Sequence, residues 1–309
     1  MAPPASSLEV EVRPPWPYRL PRGGGGDGVA RVRGGIFYRA LWIDGAPIVV
    51  AAWQRRGGEV ALRAAASPDR PGASRDALAA AITRMRFALA VDDDLAEFHA
   101  AFRSDPLLGP AIARRPWHRA RRRPFAWEAL AWAVTKQLIE SSRAAAIQRR
   151  LVRRWGAEAT SPFPARGPLR DVPTPAALAA RAPAELAARD LAAGRALTLI
   201  AAAREVAAGR VDPADPGGEP RLRRIRGVGP WTMQCLGLHG RGEPDSLPAG
   251  DLGYIKVVGR LAGLGRRATV EEVEEFFAPY EPFRGLAGSF VLAHYHGAVQ
   301  MGPPLRLAA

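Results

Sequence analysis

Hydrophobic and polar positions along this chain follow two different periods, and the change between them divides it near residue 90. Before that point the apolar positions come in short runs rich in β-branched and aromatic residues, at 29–32, 36–43, 48–53 and 60–64. Runs of this kind, parted by Asp44-Gly45 and Gly57-Gly58, read as strands joined by tight turns. The glycine run at 23–26 reads as a flexible loop. From Asp76 to Leu89 the spacing becomes helical, with Leu78, Ile82, Met85 and Leu89 on one face. The expectation for residues 1–90 is an antiparallel sheet with a helix packed on it.

From Asp92 onward the pattern is helical. Asp92, Asp93 and Asp94 suit the start of a helix running to Phe102, where carboxylates complement the helix dipole. Residues 125–140 carry a stripe at Leu130, Val134 and Leu138. Thr174-Pro175 is a cap followed by proline at the first helical position, and 191–208 is a long alanine-rich helix. The segments 160–175 and 212–220 read as proline- and glycine-rich connections. The fold class is therefore α+β, with a β-rich domain at 1–90 and a mostly helical domain at 91–309.

Composition narrows the function classes. A chain of 309 residues that is 48% hydrophobic and 24% charged can bury a full core. It has neither a bilayer-length apolar run nor a leader-like start, so a cytoplasmic protein is expected, with no membrane partner. The single cysteine, Cys235, rules out a disulfide framework, a thiolate zinc site and a four-cysteine iron–sulfur cluster. His294 and His296 are two apart on a helix and splay, so no metal site is expected.

The net charge of +14 points to a polyanionic partner, but only Lys136 and Lys256 are lysines. With so much alanine, glycine and proline, part of the arginine excess reflects GC-rich coding. Distribution says more. Residues 103–155 hold twelve arginines and Lys136 against Asp105, Glu128 and Glu140, a net charge of +10. Four tryptophans are interleaved there, as on a phosphate-facing surface. The arginines of 114–123 either contact DNA or form a solvated linker.

Residues 222–238 read Leu-Arg-Arg-Ile-Arg-Gly-Val-Gly-Pro-Trp-Thr-Met-Gln-Cys-Leu-Gly-Leu. A short helix ending near Ile225, a hairpin at Gly227-Val228-Gly229 and a second helix opened by Pro230 follow from these residue types. The hairpin amides and the new helix's N-terminus then form an anion site fit for a phosphate. Nine residues past this stretch comes Leu-Pro-Ala-Gly-Asp-Leu-Gly-Tyr-Ile-Lys, residues 247–256, in which Asp251 caps a helix over Leu252–Leu261.

The pair of segments resembles the helix–hairpin–helix/Gly-Pro-Asp superfamily of DNA glycosylases, in its 3-methyladenine glycosylase II branch. The resemblance runs over roughly 92–300, with the helix–hairpin–helix at about 222–240 and the catalytic loop at 247–256. It implies a monomeric enzyme of base excision repair that flips alkylated bases from double-stranded DNA and hydrolyses the N-glycosidic bond. Asp251 is then the catalytic carboxylate, set against the positive charge that develops on the sugar.

Bifunctional members carry a Schiff-base lysine where this chain has Trp231, which has no amine. Trp231, with Phe290 and Tyr295 behind it, becomes the candidate base pocket. Gln137 and Leu138 match the wedge region, although Leu138 also fits a core position continuing the Leu130–Val134 stripe. Lys256 reads as a helix surface charge or a phosphate contact. Cys235 departs from the family by standing where an aromatic is expected. The resemblance implies no cofactor and admits a monovalent cation at the hairpin. The competing reading is a non-catalytic helix–hairpin–helix protein that recognises damaged DNA.

Overall fold

The computed structural model describes residues 7–299, with side chains through Tyr295. Five strands, β1 (Ser7–Val12), β2 (Ala30–Arg33), β3 (Ile36–Ile43), β4 (Ala46–Gln54) and β5 (Val60–Ala66), form one antiparallel sheet in the order β1-β5-β4-β3-β2. The expected strands are all present, and β1 adds a fifth. Leu8, Val10 and Val12 alternate along it with Glu9 and Glu11, and it pairs from Ser7 opposite Ala65 to Val12 opposite Val60. Helix α1 (Arg75–Leu89), capped by the Ser74 hydroxyl accepting from Ala77 N, lays Leu78, Ile82 and Met85 on one face of the sheet. Each such fully buried side chain contributes about 1.5–3 kcal/mol.

The other face is also covered, by a segment expected to be only a connection. Ala159, Phe163, Ala165 and Leu169 pack on Tyr38, Ala40, Val49 and Ala51, with a small pairing of β6 (Glu158–Ala159) and β7 (Leu169–Arg170) at its base. Because this segment is irregular, its carbonyl groups need donors from outside. The Arg31 guanidinium supplies them, bonding the carbonyl oxygens of Ala165, Gly167 and Pro168.

The helical part comprises α2 (Ala96–Phe102), α3 (Leu108–Arg114), α4 (Ala126–Lys136), α5 (Ser141–Trp155), α6 (Pro175–Ala179), α7 (Pro183–Ala187), α8 (Ala193–Ala207), α9 (Glu219–Arg223), α10 (Pro230–Leu236), α11 (Leu252–Leu261), α12 (Val270–Phe277) and α13 (Arg284–Val299). One core gathers α4, α5, α8 and α10, and a second gathers α2, α3 and α11 to α13. Among the described residues no helix is long and apolar enough to cross a membrane.

A buried ionic cluster joins sheet and helices. Arg39 on β3 donates to Glu128 on α4 at 2.8 Å and to Asp171 at 2.7 Å, and Arg123 donates to Glu128 and to Asp27. Asp27 belongs to the glycine-rich loop, whose far end is thereby pinned in the interior. Burial pushes the Asp171 carboxyl up to about 6, with Arg39 opposing and Glu128 reinforcing the shift.

The basic stretch 114–123 is not a solvated linker in contact with nothing. It is a strap held on both sides. Arg115 donates to the Ala293 carbonyl, Arg119 to those of Pro17, Trp117 and Asp93, and Arg122 pairs with Asp93. Arg122 and Arg123 pair with carboxylates, while Arg114 and Arg121 stay exposed.

Candidate active site

Helix α4 does not continue through Leu138. Its last residue is Lys136, Gln137 turns the chain to φ −50° and ψ 126°, and Leu138 takes φ +58° with its side chain fully exposed. The core reading of Leu138 is thereby overturned. A leucine in the left-handed region costs about 1–3 kcal/mol and persists only where its surroundings impose it. Gln137, just before it, is anchored: its Nε2 donates to the Gly227 carbonyl at 2.6 Å and to Thr232 Oγ1 at 3.0 Å. Gln137 is thus a strut between two loops.

The hairpin forms between α9 and α10 as the residue types require. Gly227 sits at φ +91°, and a Cβ there would stand 2.3 Å from Thr198 Oγ1. Val228 turns its side chain into the core, so only its backbone is presented outward. Gly229 caps α10 in extended backbone, and a Cβ there would meet open space. A π-helical turn over 237–241 follows α10. It is bound to the strap by His239 Nδ1 on the Arg121 carbonyl at 2.6 Å and by Arg123 N on the His239 carbonyl at 2.8 Å.

Asp251 is the N-cap of α11. Its Oδ1 accepts from Gly253 N at 2.8 Å, while Oδ2 accepts nothing from the described residues. The carboxylate is held in place with one oxygen left for a ligand. It lines a cavity of about 630 Å³ together with Trp231, Trp132, Lys136, Cys235 and Tyr254. Trp231 lies against the turn at Gly250, whose Cβ position is 3.5 Å from the indole. Trp132 is fixed as a wall by its Nε1 donating to Asp27 Oδ2 at 3.1 Å.

Burial, reinforced by Asp251, drives the Cys235 thiol and the Tyr254 phenol well above their ordinary ranges, so both stay protonated. His118 and His239, on the opposite side, are each pushed down to about 4, chiefly by burial, and are neutral at physiological pH.

Two expected pocket residues lie elsewhere. Phe290 is fully buried and packs edge-on behind His118, with ring centroids 4.8 Å apart. Tyr295 is buried with its hydroxyl donating to the Leu107 carbonyl at 2.9 Å. Both face the core of α13 rather than the cavity, where Trp132 and Tyr254 take the aromatic places. Lys136, unassigned by the sequence, lines the cavity, and Lys256 does not. Among the described residues no group of three or more His, Cys, Asp or Glu gathers as metal ligands; the side chain of His296 lies outside them.

Residues 131–282 match the family described as HhH-GPD superfamily base excision DNA repair protein. The match spans 152 of the 309 residues, just under half of the chain. A curated relative, the DNA-3-methyladenine glycosylase of Bacillus subtilis, is 27% identical over 209 residues, which is 64% of this chain and just under two-thirds (66%) of that protein. Among solved structures, the 3-methyladenine DNA-glycosylase from Archaeoglobus fulgidus aligns with a TM-score of 0.73 at 21% identity, covering 88% of this chain and 91% of that one. A structure of MBOgg1 with a low-affinity DNA ligand aligns with a TM-score of 0.74 at 18% identity, covering 94% and 96%. These two likenesses show a shared fold over nearly the whole chain.

Proposed function

We propose that this protein is a monofunctional DNA glycosylase of base excision repair, of the DNA-3-methyladenine glycosylase II type, that removes alkylated bases from duplex DNA. A base inside a duplex cannot reach Asp251, so its nucleotide swings out into the cavity at a cost of a few kcal/mol. Leu138 fills the gap left in the stack, and the backbone of Gly227, Val228 and Gly229 grips a phosphate ahead of α10. The base stacks on Trp231, whose electron-rich ring favours a cationic alkylated purine.

As the glycosidic bond lengthens, positive charge grows on the deoxyribose. Asp251 stabilises that charge more than it stabilises the ground state, and its free oxygen can take a proton from the attacking water. Trp231 has no amine, so no imine forms with the sugar and the strand stays intact. The reaction needs no cofactor of its own. The hairpin carbonyls of Arg226 and Gly227 already accept from Thr198 and Gln137, so a monovalent cation bound there would only add to a formed turn. The enzyme works as a monomer, in the cytoplasm with the chromosomal DNA.

The observation that carries this reading is that Asp251, with one oxygen unengaged, shares a base-sized cavity with Trp231. A pure DNA-binding module has no use for a carboxylate there. Asp251→Asn keeps the cap and the shape but removes the charge. It is expected to bind damaged duplex with little change and to release base at least about a hundredfold more slowly. Near-normal release by this variant would falsify the assignment.

A further inference from the structure

Lys136 is one of only two lysines in a chain with 44 basic side chains, and it lines the cavity that holds Asp251 and Trp231. Among the described residues it has no hydrogen-bond or ion-pair partner on its side chain, although every cation near it is tied down or faces solvent. Arg123 is paired with Asp27 and Glu128, and Arg119 with main-chain carbonyls. Burial, and then Arg123, lower its pKa below that of an ordinary ammonium. A lysine ammonium gives up a proton more readily than an arginine guanidinium, and the lowered pKa makes this one readier still.

The cavity's other titratable groups are unsuited to giving up a proton. His118 and His239 are already neutral, and Cys235 and Tyr254 hold their protons far above neutrality. Cationic alkylated bases need no donor, because they leave as neutral molecules. A neutral lesion would leave as an anion unless a ring nitrogen is protonated.

We propose that Lys136 is the proton donor to a departing neutral base that carries ring-nitrogen and carbonyl acceptors. The inference rests on the glycosylase reading of this cavity. In the step, the bond between C1′ and the base nitrogen breaks and its electron pair goes to the base, while a Lys136 ammonium proton passes to a base ring nitrogen. The oxygen of water bonds to C1′ and its proton goes to Asp251. Solvent then takes that proton and returns one to Lys136, leaving free base and an abasic site.

The test compares single-turnover release of hypoxanthine, a neutral purine, with release of 7-methylguanine, a cationic one, from otherwise identical duplexes. Wild type is expected to release both. Lys136→Met is expected to lower the ratio of hypoxanthine to 7-methylguanine release about a hundredfold. Lys136→Arg should lower it similarly, because it keeps the charge but gives up a proton less readily. An unchanged ratio, or an equal loss on both duplexes, would overturn the proposal, as would a borohydride-trapped adduct that disappears with Lys136→Met. Wild type that releases 7-methylguanine but not hypoxanthine would overturn this inference alone. Wild type that releases neither base would overturn the glycosylase reading as well.

Discussion

The Gln137 side chain donates to the Gly227 carbonyl at 2.6 Å, joining the loop after α4 to the hairpin before α10. Through this bond the exposed Leu138 and the hairpin turn keep a fixed separation. On the proposed function the first would enter the base stack and the second would hold the backbone, so their spacing would set how far a bound duplex bends.

Leu138 carries local strain with no packing in return, which makes opposite effects on stability and activity expected at one residue. Leu138→Gly should raise stability by about 1 kcal/mol, since glycine occupies the left-handed region freely. The same change should slow base release at least tenfold while leaving the cavity intact. Thermal melts and single-turnover assays on one preparation check both halves, and a stability loss would show that the side chain packs.

The two hairpin glycines should separate folding from binding. Gly227→Ala puts a methyl group on Thr198 and requires a positive φ, so a loss of about 1–3 kcal/mol is expected in urea unfolding. Gly229→Val meets open space and should fold like the wild type, yet weaken binding to damaged and undamaged duplex alike. Weakened binding confined to damaged DNA would contradict a phosphate-gripping role.

Asp171 should make stability depend on pH in a window set by burial. Its folded carboxyl titrates at about 6, above the ~3.9 of an unfolded aspartate. The folded state therefore holds this proton more tightly, and that contribution is complete below about pH 4 and fades as pH rises through about 6. Asp171→Asn cannot titrate, so between about pH 5 and about pH 8 it should gain roughly 1–2 kcal/mol relative to wild type. Parallel urea midpoints for the two proteins across this range would refute the shift.

The product should reveal the chemistry at Trp231. Reaction is expected to end at an abasic site, with strand breaks appearing only after alkali, and borohydride should trap no covalent adduct. Trp231→Lys places an amine there; some trapping is expected, with slower release of cationic purines because the stacking ring is gone. An adduct formed by the unmodified enzyme would mean that another amine reaches the sugar.

Much of this architecture was legible in the residue pattern, and the exceptions share a cause. Four strands and α1 follow from period and turn residues; β1 falls outside the expected strands, although Leu8, Val10 and Val12 alternate along it. Leu138 misleads because Leu130, Val134 and Leu138 keep helical spacing across a point where the backbone leaves the helix; periodicity does not register φ. The strap misleads because its partners, Asp27, Asp93 and several carbonyl groups, come from distant sequence. Phe290 and Tyr295 are aromatic residues on a helix apolar on most sides, so residue type alone does not say which face meets the cavity. Asp251 and the hairpin were legible because a cap, two glycines and a proline at helical starts are local signals. Lys136 is legible only once its neighbours are known.

The ionic cluster around Arg39 also bears on how the chain is made. Arg39 lies 89 residues before Glu128 and 132 before Asp171, and the second face of its sheet is closed by residues of 159–169. The N-terminal strands therefore leave the ribosome long before their charges can be neutralised or their second face covered. Until then the nascent sheet exposes apolar surface and open edges, the condition in which chaperones are engaged and aggregation competes. Synthesis speed between codons 66 and 171 thus becomes a determinant of how much active protein a cell obtains.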